Sequence, residues 1–402
     1  LEEGDIAVIT RETLEIRDEN GDLANRDMRT LELSAQGAEK GAHKHFMSKE
    51  IAEQPSVLAE AIKHNLNRER DQIIMPDIDL DFSKINRITM VACGTAYLAC
   101  NVAKYWFEQI ARIPVELDVA SEFRYREPPV DADGLAIFVS QSGETADTLA
   151  ALRYCNANHM KTLGIVNVEE STISREASAS MQIHAGPEIG VASTKAFTCQ
   201  LTVLISLVIK AAREKGLIDA AREAKLVSSL LQLPALFVDA LNIEADIKSA
   251  AHELSKASDA LFLGRGAMFP LALEGALKLK EISYIHAEGY ASGELKHGPI
   301  ALVDEDMPVI VMAPKDDLFD KTISNMQEVM ARGGKVLLIT DAEGAIEAED
   351  GTWRTIVMPK VPNDLAPILY AVPAQLLAYH TAVHKGTDVD QPRNLAKSVT
   401  VE

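Results

Sequence analysis

The chain has 402 residues, 47% hydrophobic and 25% charged, with a formal net charge of −20. That length predicts about two to three globular domains. The composition shows no apolar run long enough to cross a membrane, and the charge argues against a nucleic-acid partner. An acidic chain that handles an anion must build positive potential locally, from backbone N–H groups and a few lysines.

The four cysteines, Cys93, Cys100, Cys155 and Cys199, have neither metal-ligand nor small-domain disulfide spacing. They predict a reducing, cytoplasmic setting, and no metal or cofactor is expected. The chain opens on Leu1 with no signal peptide, so it reads as a piece of a longer one.

Ile6–Ile9 and Thr13–Ile16 read as short strands, with a turn at Asp18-Glu19-Asn20-Gly21-Asp22. A piece this small does not fold alone and resembles the end of something larger. A polar stretch, Gln36–Lys44, follows, then a helical pattern from Phe46 through Ile51, Leu58 and Ile62. His43 and His45, at i,i+2 with no carboxylate or thiolate cluster, read as solvated linker residues rather than metal ligands.

Beyond this point the chain repeats itself. A shift of 172 aligns Gly94 with Gly266, Ile113 with Ile285, Glu116 with Glu288 and Glu122 with Glu294. Ile137-Phe138-Val139 then falls on Val309-Ile310-Val311. One residue later, Gly164-Ile165-Val166 falls on Leu337-Leu338-Ile339. Each copy reads strand, helix, strand, helix, strand, the pattern of a parallel sheet with helices on both faces. A long helical spacer, 201–255, separates the copies. Leu230, Leu231 and Leu233 mark one apolar face in it, and the boundary is predicted near Leu233-Pro234 or in the helix after it.

Ligands of such sheets sit beyond the carboxyl ends of the strands. In copy one those ends carry Cys93-Gly94-Thr95 and Ser140-Gln141-Ser142-Gly143-Glu144-Thr145, the latter at a helix start. Helix starts offer free N–H groups, and hydroxyls add donors. With no lysine and no Gly-x-x-x-x-Gly-Lys spacing, the loop is not a nucleotide P-loop. Alone it reads equally as a small-phosphate site or as a decorated N-cap. In copy two the same place carries Ala313-Pro314-Lys315-Asp316-Asp317, acidic and short of donors, so one phosphate per chain is expected.

Pro270–Tyr284 reads as a helix on which Glu274, Lys278 and Glu281 share a face. Alone the stripe reads as surface ion pairs. The run Ala287–Pro299 reads as a tight loop in which glycines admit a close backbone approach, and His297 is an acid–base candidate in it. The tail from Gly386 to Glu402 reads by default as frayed. Leu395, Val399 and Val401 are candidate anchors that would hold Lys397 near a site. A confined lysine can lose its proton and attack a carbonyl.

Several motifs together resemble the isomerase part of the bacterial glucosamine-6-phosphate synthases. They are Ala92-Cys93-Gly94-Thr95, Ser140–Thr145, Glu188–Phe197, Lys278–Ser283, Glu294–Pro299 and Asp390–Glu402, and they span nearly the whole chain. The resemblance implies an α/β fold of two tandem sugar-isomerase (SIS) domains, each a parallel sheet sandwiched by helices. It makes residues 1–34 the remnant of an N-terminal glutaminase domain, 35–80 a linker and helix, and 81–233 the first, phosphate-binding domain. Residues 234–389 become the second domain and 390–402 a tail that completes the active site.

The resemblance further implies that fructose 6-phosphate places its phosphate at Ser140, Gln141, Ser142 and Thr145. Gly94, Thr95, Ala96, Val191, Ser193 and Ala396 would line the sugar site. Lys397 would form the imine, Glu281 would move a proton between C1 and C2, and Lys278 would orient the sugar oxygens. His297 would open the ring, lent by the neighbouring subunit of a homodimer. Glucose 6-phosphate and glucosamine 6-phosphate are the other expected ligands. The family pattern has serine at Ala96 and tyrosine at His43. Two other classes stay open: a stand-alone SIS isomerase or deglycase, against which the N-terminal β remnant speaks, and a sugar-phosphate-sensing module, which would need neither Lys397 nor Glu281.

Overall fold

The computed structural model describes residues 1, 4–27, 39–348 and 351–400. Residues 1–39 and 40–402 form two compact units. In the first, β1 (Ile6–Ile9) and β2 (Leu14–Arg17) pair antiparallel, Ile6 opposite Arg17. The turn signal at Asp18 is met by its carboxylate, which accepts from Asn20 N at 2.9 Å and Asp22 N at 3.1 Å. Residues 28–38, which hold the end of the predicted remnant and the first three residues of the stretch Gln36–Lys44, lie outside the described residues, as do Val401 and Glu402.

The second unit opens with α1 (Phe46–His64). Copy one follows: β3 (Ile88–Ala92), α2 (Gly94–Trp106), β4 (Val115–Val119), α3 (Ala120–Arg126), β5 (Leu135–Ser140), α4 (Ala146–Ala157), β6 (Lys161–Val166), α5 (Thr172–Glu176) and β7 (Ala179–Gln182). The spacer is α6 (Lys195–Glu214), α7 (Ala220–Leu241) and α8 (Glu244–Leu254). Copy two holds β8 (Asp259–Gly264), α9 (Met268–Ser283), β9 (His286–Ala291), β10 (Pro308–Met312), α10 (Phe319–Met330), β11 (Lys335–Asp341), α11 (Ala342–Glu347) and β12 (Arg354–Met358). It closes with α12 (Ala366–Leu369) and α13 (Ala371–Lys385).

The repeat is structural. The sheets run β4-β3-β5-β6-β7 and β9-β8-β10-β11-β12, every pair parallel. At the 172-residue shift the first pairs share a register, Ile88↔Val115 and Ala260↔Ala287. Where the sequence predicts three strands per copy, the structure has five. The four additions, β4, β7, β9 and β12, are all at sheet edges. Central strands are buried on both faces and read as unbroken apolar runs. Edge strands carry polar residues, as in Val-Glu-Leu-Asp-Val and Ala-Ser-Met-Gln. For the same reason the predicted loop at 287–299 is corrected to β9 followed by the 3₁₀ turn Ser292–His297. Its glycines do admit a close approach: a Cβ on Gly289 would stand 2.7 Å from Leu273 Cα on α9.

Successive strand residues face two cores. Met90, Ile137, Phe262 and Ile310 enter one large core that both copies share with α6 and α13. Val91 and Phe138 enter a small outer core, and Leu261 and Val309 another. Each sheet is therefore covered on both faces.

Against the expectation of no membrane-length run, α6 and α7 are both long and apolar enough to cross a membrane by length and composition. In α6, Thr202 and Ser206 interrupt the apolar sequence, but their hydroxyls bond carbonyls one turn back at 2.8 Å. The apolar window of α6 is 94% buried, so it is a core helix; that of α7 is 33% buried. Helix α7 runs unbroken through Leu233-Pro234, and of its leucines 230 and 233 are buried while Leu231 turns outward.

Candidate active site

A cavity of about 320 Å³ opens beyond the carboxyl ends of β3 and β5. Four parts of the chain line it. Copy one supplies Gly94, Thr95 and Ala96 at the start of α2, and Ser140, Gln141, Ser142 and Thr145 before α4. The segment before α6 supplies Val191 and Ser193. Copy two supplies Lys278 and Glu281 from α9, and the tail supplies Ala396 and Lys397. Of the expected site residues only His297 is missing. It is exposed at the end of the 3₁₀ turn and does not line this cavity.

The loop before α4 is held open by its own bonds. Gly143 takes φ +67°, and a Cβ there would fall 2.0 Å from Ser171 Oγ, so only glycine fits. Its N–H donates to Ser140 Oγ at 3.0 Å, and Ser140 Oγ lies 3.0 Å from Thr145 Oγ1. The one carboxylate in the loop is turned away: Glu144 Oε1 accepts from Thr172 N, at the first residue of α5, at 2.7 Å. The corresponding loop of copy two is closed. Lys315 N donates to Asp341 Oδ2 at 2.9 Å, and the Lys315 ammonium pairs with Glu347 and Asp320.

The Glu274–Lys278–Glu281 stripe is not a surface ladder. Helix α9 packs on α2, so Glu274 and Lys278 are each only 1% exposed. Lys278 Nζ donates to Thr95 Oγ1 at 2.9 Å and pairs with Glu281 Oε2 at 2.5 Å and Glu274 Oε1 at 3.5 Å. Burial works against the charge of Lys278, but the two carboxylates outweigh it and hold the ammonium pKa above its ordinary value. Burial pushes the Glu274 carboxyl the other way, up to about 7, against the pull of Lys278.

The Glu274 shift has a consequence for stability. A carboxyl with a higher pKa folded than unfolded holds an extra proton in the native state between those values. Stability from Glu274 is therefore fully present below about pH 4.5 and is lost as pH rises to about 7. Urea unfolding across that range is expected to show Glu274→Gln with a flatter decline than the parent. The difference is at most about 3 kcal/mol at neutral pH. Parallel profiles would show that Glu274 does not titrate there.

The tail is ordered by hydrogen bonds rather than by the predicted apolar anchors. Leu395 is 45% and Val399 57% exposed; Val401 lies outside the described residues. Instead, Val399 O accepts from Ala146 N, the first residue of α4, at 3.1 Å, and Ser398 Oγ meets Ser142 Oγ at 3.0 Å. Asp390 caps α1 by accepting from Phe46 N at 2.9 Å and Met47 N at 3.0 Å. Lys397 Nζ donates to Glu188 Oε2 at 2.6 Å and to Gly190 O at 2.7 Å.

Glu188 and Glu50 are the site groups that sequence reasoning missed. Buried Glu188 also accepts from Thr194 N at 2.9 Å and Ala196 N at 3.0 Å, across the start of α6. Burial raises its pKa, but Lys397 and these N–H groups prevail and hold it below the usual carboxylate range. Glu50 of α1 accepts from Ile189 N at 2.5 Å and Gly190 N at 3.1 Å. Burial first, and then the charge of Glu188, push its carboxyl up. The signal for Glu188 was an acidic residue just ahead of a helix start; Glu50 looked like an ordinary surface residue of α1. The linker histidines are half-buried rather than solvated, His43 Nδ1 at 3.0 Å from Ser48 Oγ and His45 Nδ1 at 3.0 Å from Tyr379 OH.

The SIS domain family matches residues 81–210 and 253–385, one match over each sheet. The chain belongs to the SIS-domain family. Over all of its 402 residues it is 59% identical to glutamine–fructose-6-phosphate aminotransferase (isomerizing) of Brucella abortus biovar 1 (strain 9-941). It is 57% identical to the protein of that name from Rhizobium meliloti (strain 1021), and it spans 66% of the length of both. Among solved structures it is similar to the C-terminal domain of glucosamine-fructose-6-phosphate aminotransferase from Francisella tularensis. The TM-score is 0.85 at 43% identity, covering 88% of this chain and 100% of that one. Glucosamine-6-phosphate deaminase from Thermotoga maritima is similar at TM-score 0.70 and 25% identity, covering 88% of this chain and 99% of that one. Within its family the chain groups with the C-terminal, SIS-bearing part of these aminotransferases.

Proposed function

We propose that the chain is the sugar-phosphate half of an aminotransferase that makes glucosamine 6-phosphate from fructose 6-phosphate and ammonia. The ammonia would come from glutamine on a glutaminase domain of the whole protein. The observation that carries this reading is the convergence, in one cavity, of a neutral phosphate-type loop, a lysine on the tail and a lysine–carboxylate pair on α9.

In this reading the phosphate takes the Ser140, Gln141, Ser142 and Thr145 donors at the start of α4. The open-chain C2 carbonyl faces Lys397. After losing its proton, with Glu188 as the adjacent acceptor, the Lys397 amine adds to C2 and water leaves, giving an imine. Ammonia displaces the lysine. Glu281 then takes a proton from C1 and returns one to C2, while the C1 hydroxyl becomes the aldehyde. Lys278 orients the oxygens at C1 and C2. Glu281 suits the base role better than Glu274, because it reaches the cavity while Glu274 is sealed behind it. His297 would open the ring from a neighbouring subunit of a homodimer, a role that its exposure outside its own chain's cavity supports. Four free cysteines favour a cytoplasmic setting.

Two measurements on the same preparation test the reading. Calorimetry with fructose 6-phosphate is expected to give one site per chain, weakened by about 1–3 kcal/mol in Ser142→Ala/Thr145→Ala. With ammonium salt and no glutamine, the sugar is expected to become glucosamine 6-phosphate. Two equivalent sites, or no amino sugar from a folded chain that binds the phosphate, would overturn it.

A further inference from the structure

Away from the cavity, three segments bring together His64, the last residue of α1, Asp77 in the loop after it, and His184, two residues past β7. One ligand atom from each lies within 4.8 Å of the other two. His64 Nε2 is 2.8 Å from Asp77 Oδ2. The rings of His64 and His184 lie 4.1 Å apart at their centroids, tilted by 45°.

The His64–Asp77 hydrogen bond explains two of these groups and leaves the third. His184 Nε2 is buried with no hydrogen-bond partner among the described residues, an unfavourable state unless something binds it. Its backbone is left-handed, at φ +54°, uncommon for a residue other than glycine. Burial first, and then the neighbouring His64, push the pKa of His184 down. The other charges acting on it most strongly, Asp77, Glu169 and Glu60, are all carboxylates and favour a cation.

We propose that His64, Asp77 and His184 bind a zinc ion. Two imidazoles and one carboxylate suit Zn²⁺ and not Mg²⁺ or Ca²⁺, which take oxygen ligands. Zinc–ligand distances of about 2.0–2.2 Å put tetrahedral ligand atoms roughly 3.3–3.5 Å apart. Binding would draw the three ligand atoms, now within 4.8 Å of one another, to that spacing, with a water in the fourth position.

The ion would act as a clamp behind the cavity. His184 begins the segment that carries Glu188, the partner of Lys397, and Val191 of the cavity wall. Glu50 of α1 already holds that segment at Ile189 and Gly190. Zinc would tie its start to the other end of the same helix.

The test uses the full chain, untagged and stripped with chelator, titrated with Zn²⁺ against a chromophoric competitor. One Zn²⁺ per chain is expected with a Kd below about 1 µM, and a rise in Tm of several degrees at about 100-fold excess over Kd. Co²⁺ is expected to give visible bands of tetrahedral intensity. Two variants spare the fold: His184→Asn, because asparagine tolerates the left-handed backbone, and His64→Gln, whose amide can still bond Asp77. Each is expected to weaken Zn²⁺ by about 10–100-fold or more and to leave the metal-free Tm within about 2 °C. His252→Gln/His384→Gln removes a distant histidine pair whose rings meet edge-on at 5.0 Å, and is expected to change nothing. No binding by the parent, unaltered affinity in both His184→Asn and His64→Gln, or loss of binding in the distal pair alone would each overturn the proposal.

Discussion

Lys397→Arg is expected to abolish both conversion of fructose 6-phosphate and its borohydride-trapped adduct, while the chain still folds and binds the sugar phosphate. Lys397 Nζ sits 2.6 Å from Glu188, a buried carboxylate whose other contacts are short N–H and O–H donors. Arginine can replace the positive charge there, so Glu188 stays paired and the segment before α6 keeps its place. What arginine cannot do is give up a proton near neutral pH, and without a neutral amine no imine forms. Lys397→Ala is a poorer probe. It leaves a buried carboxylate without its cation, at a cost on the order of 1–3 kcal/mol even after allowance for the partial exposure of the lysine. Its loss of activity would mix chemistry with stability. Peptide mapping after borohydride reduction reads the result directly: mass added at Lys397 in the parent, none in the arginine variant. Label on another lysine, or an unlabelled parent that still turns over, would remove Lys397 from the role.

The central strands of both sheets were legible because β3, β5, β6, β8, β10 and β11 are buried on both faces, and such strands announce themselves as apolar runs. The doubling was legible because the two copies keep their spacing through β3–β5 and β8–β10. The edge strands were not, since a strand with one edge unpaired can carry exposed polar residues such as His286, or a buried Asp118 that Arg126 pairs with. The burial of the α9 stripe was hidden for a different reason. Glu274, Lys278 and Glu281 have the spacing of a solvated ion-pair ladder, and what buries them is α2, with Thr95 standing 183 residues before the lysine it bonds. Periodicity describes one helix and says nothing about a partner so far away.

The tail shows a third limit. Its apolar residues suggested anchoring by burial, but its attachments are backbone atoms and short polar side chains: Val399 O, Ser398 and Asp390. Main-chain groups are the same in every residue, so sequence does not mark which of them find partners. The residues that line the cavity, His297 apart, were legible through their motifs as a set. The groups that hold them, Glu188 and Glu50, were not, because a carboxylate that holds backbone N–H groups looks like any other acidic residue in the sequence.

Glu281→Gln is expected to leave sugar-phosphate binding and the Lys397 adduct intact and to slow proton exchange between C1 and C2 by about 10²–10⁴-fold. The amide has nearly the shape of the carboxylate, and its oxygen still accepts from Lys278, whose remaining contacts are Thr95 and Glu274. The substitution therefore removes basicity with little change in packing. A 10²–10⁴-fold loss corresponds to about 3–5 kcal/mol of barrier, a fair share of what one positioned base supplies. Exchange of the C1 proton in deuterated water, followed by NMR on fructose 6-phosphate, isolates the step from ring opening and amine transfer. Glu274→Gln is the informative companion. Glu274 stands two turns earlier on the same face of α9, pairs with the same lysine and is sealed from the cavity. If reach into the cavity decides which carboxylate is the base, the Glu274 variant keeps most of the exchange that the Glu281 variant loses. Parent-like exchange in Glu281→Gln, or the larger loss in Glu274→Gln, would move the base away from Glu281.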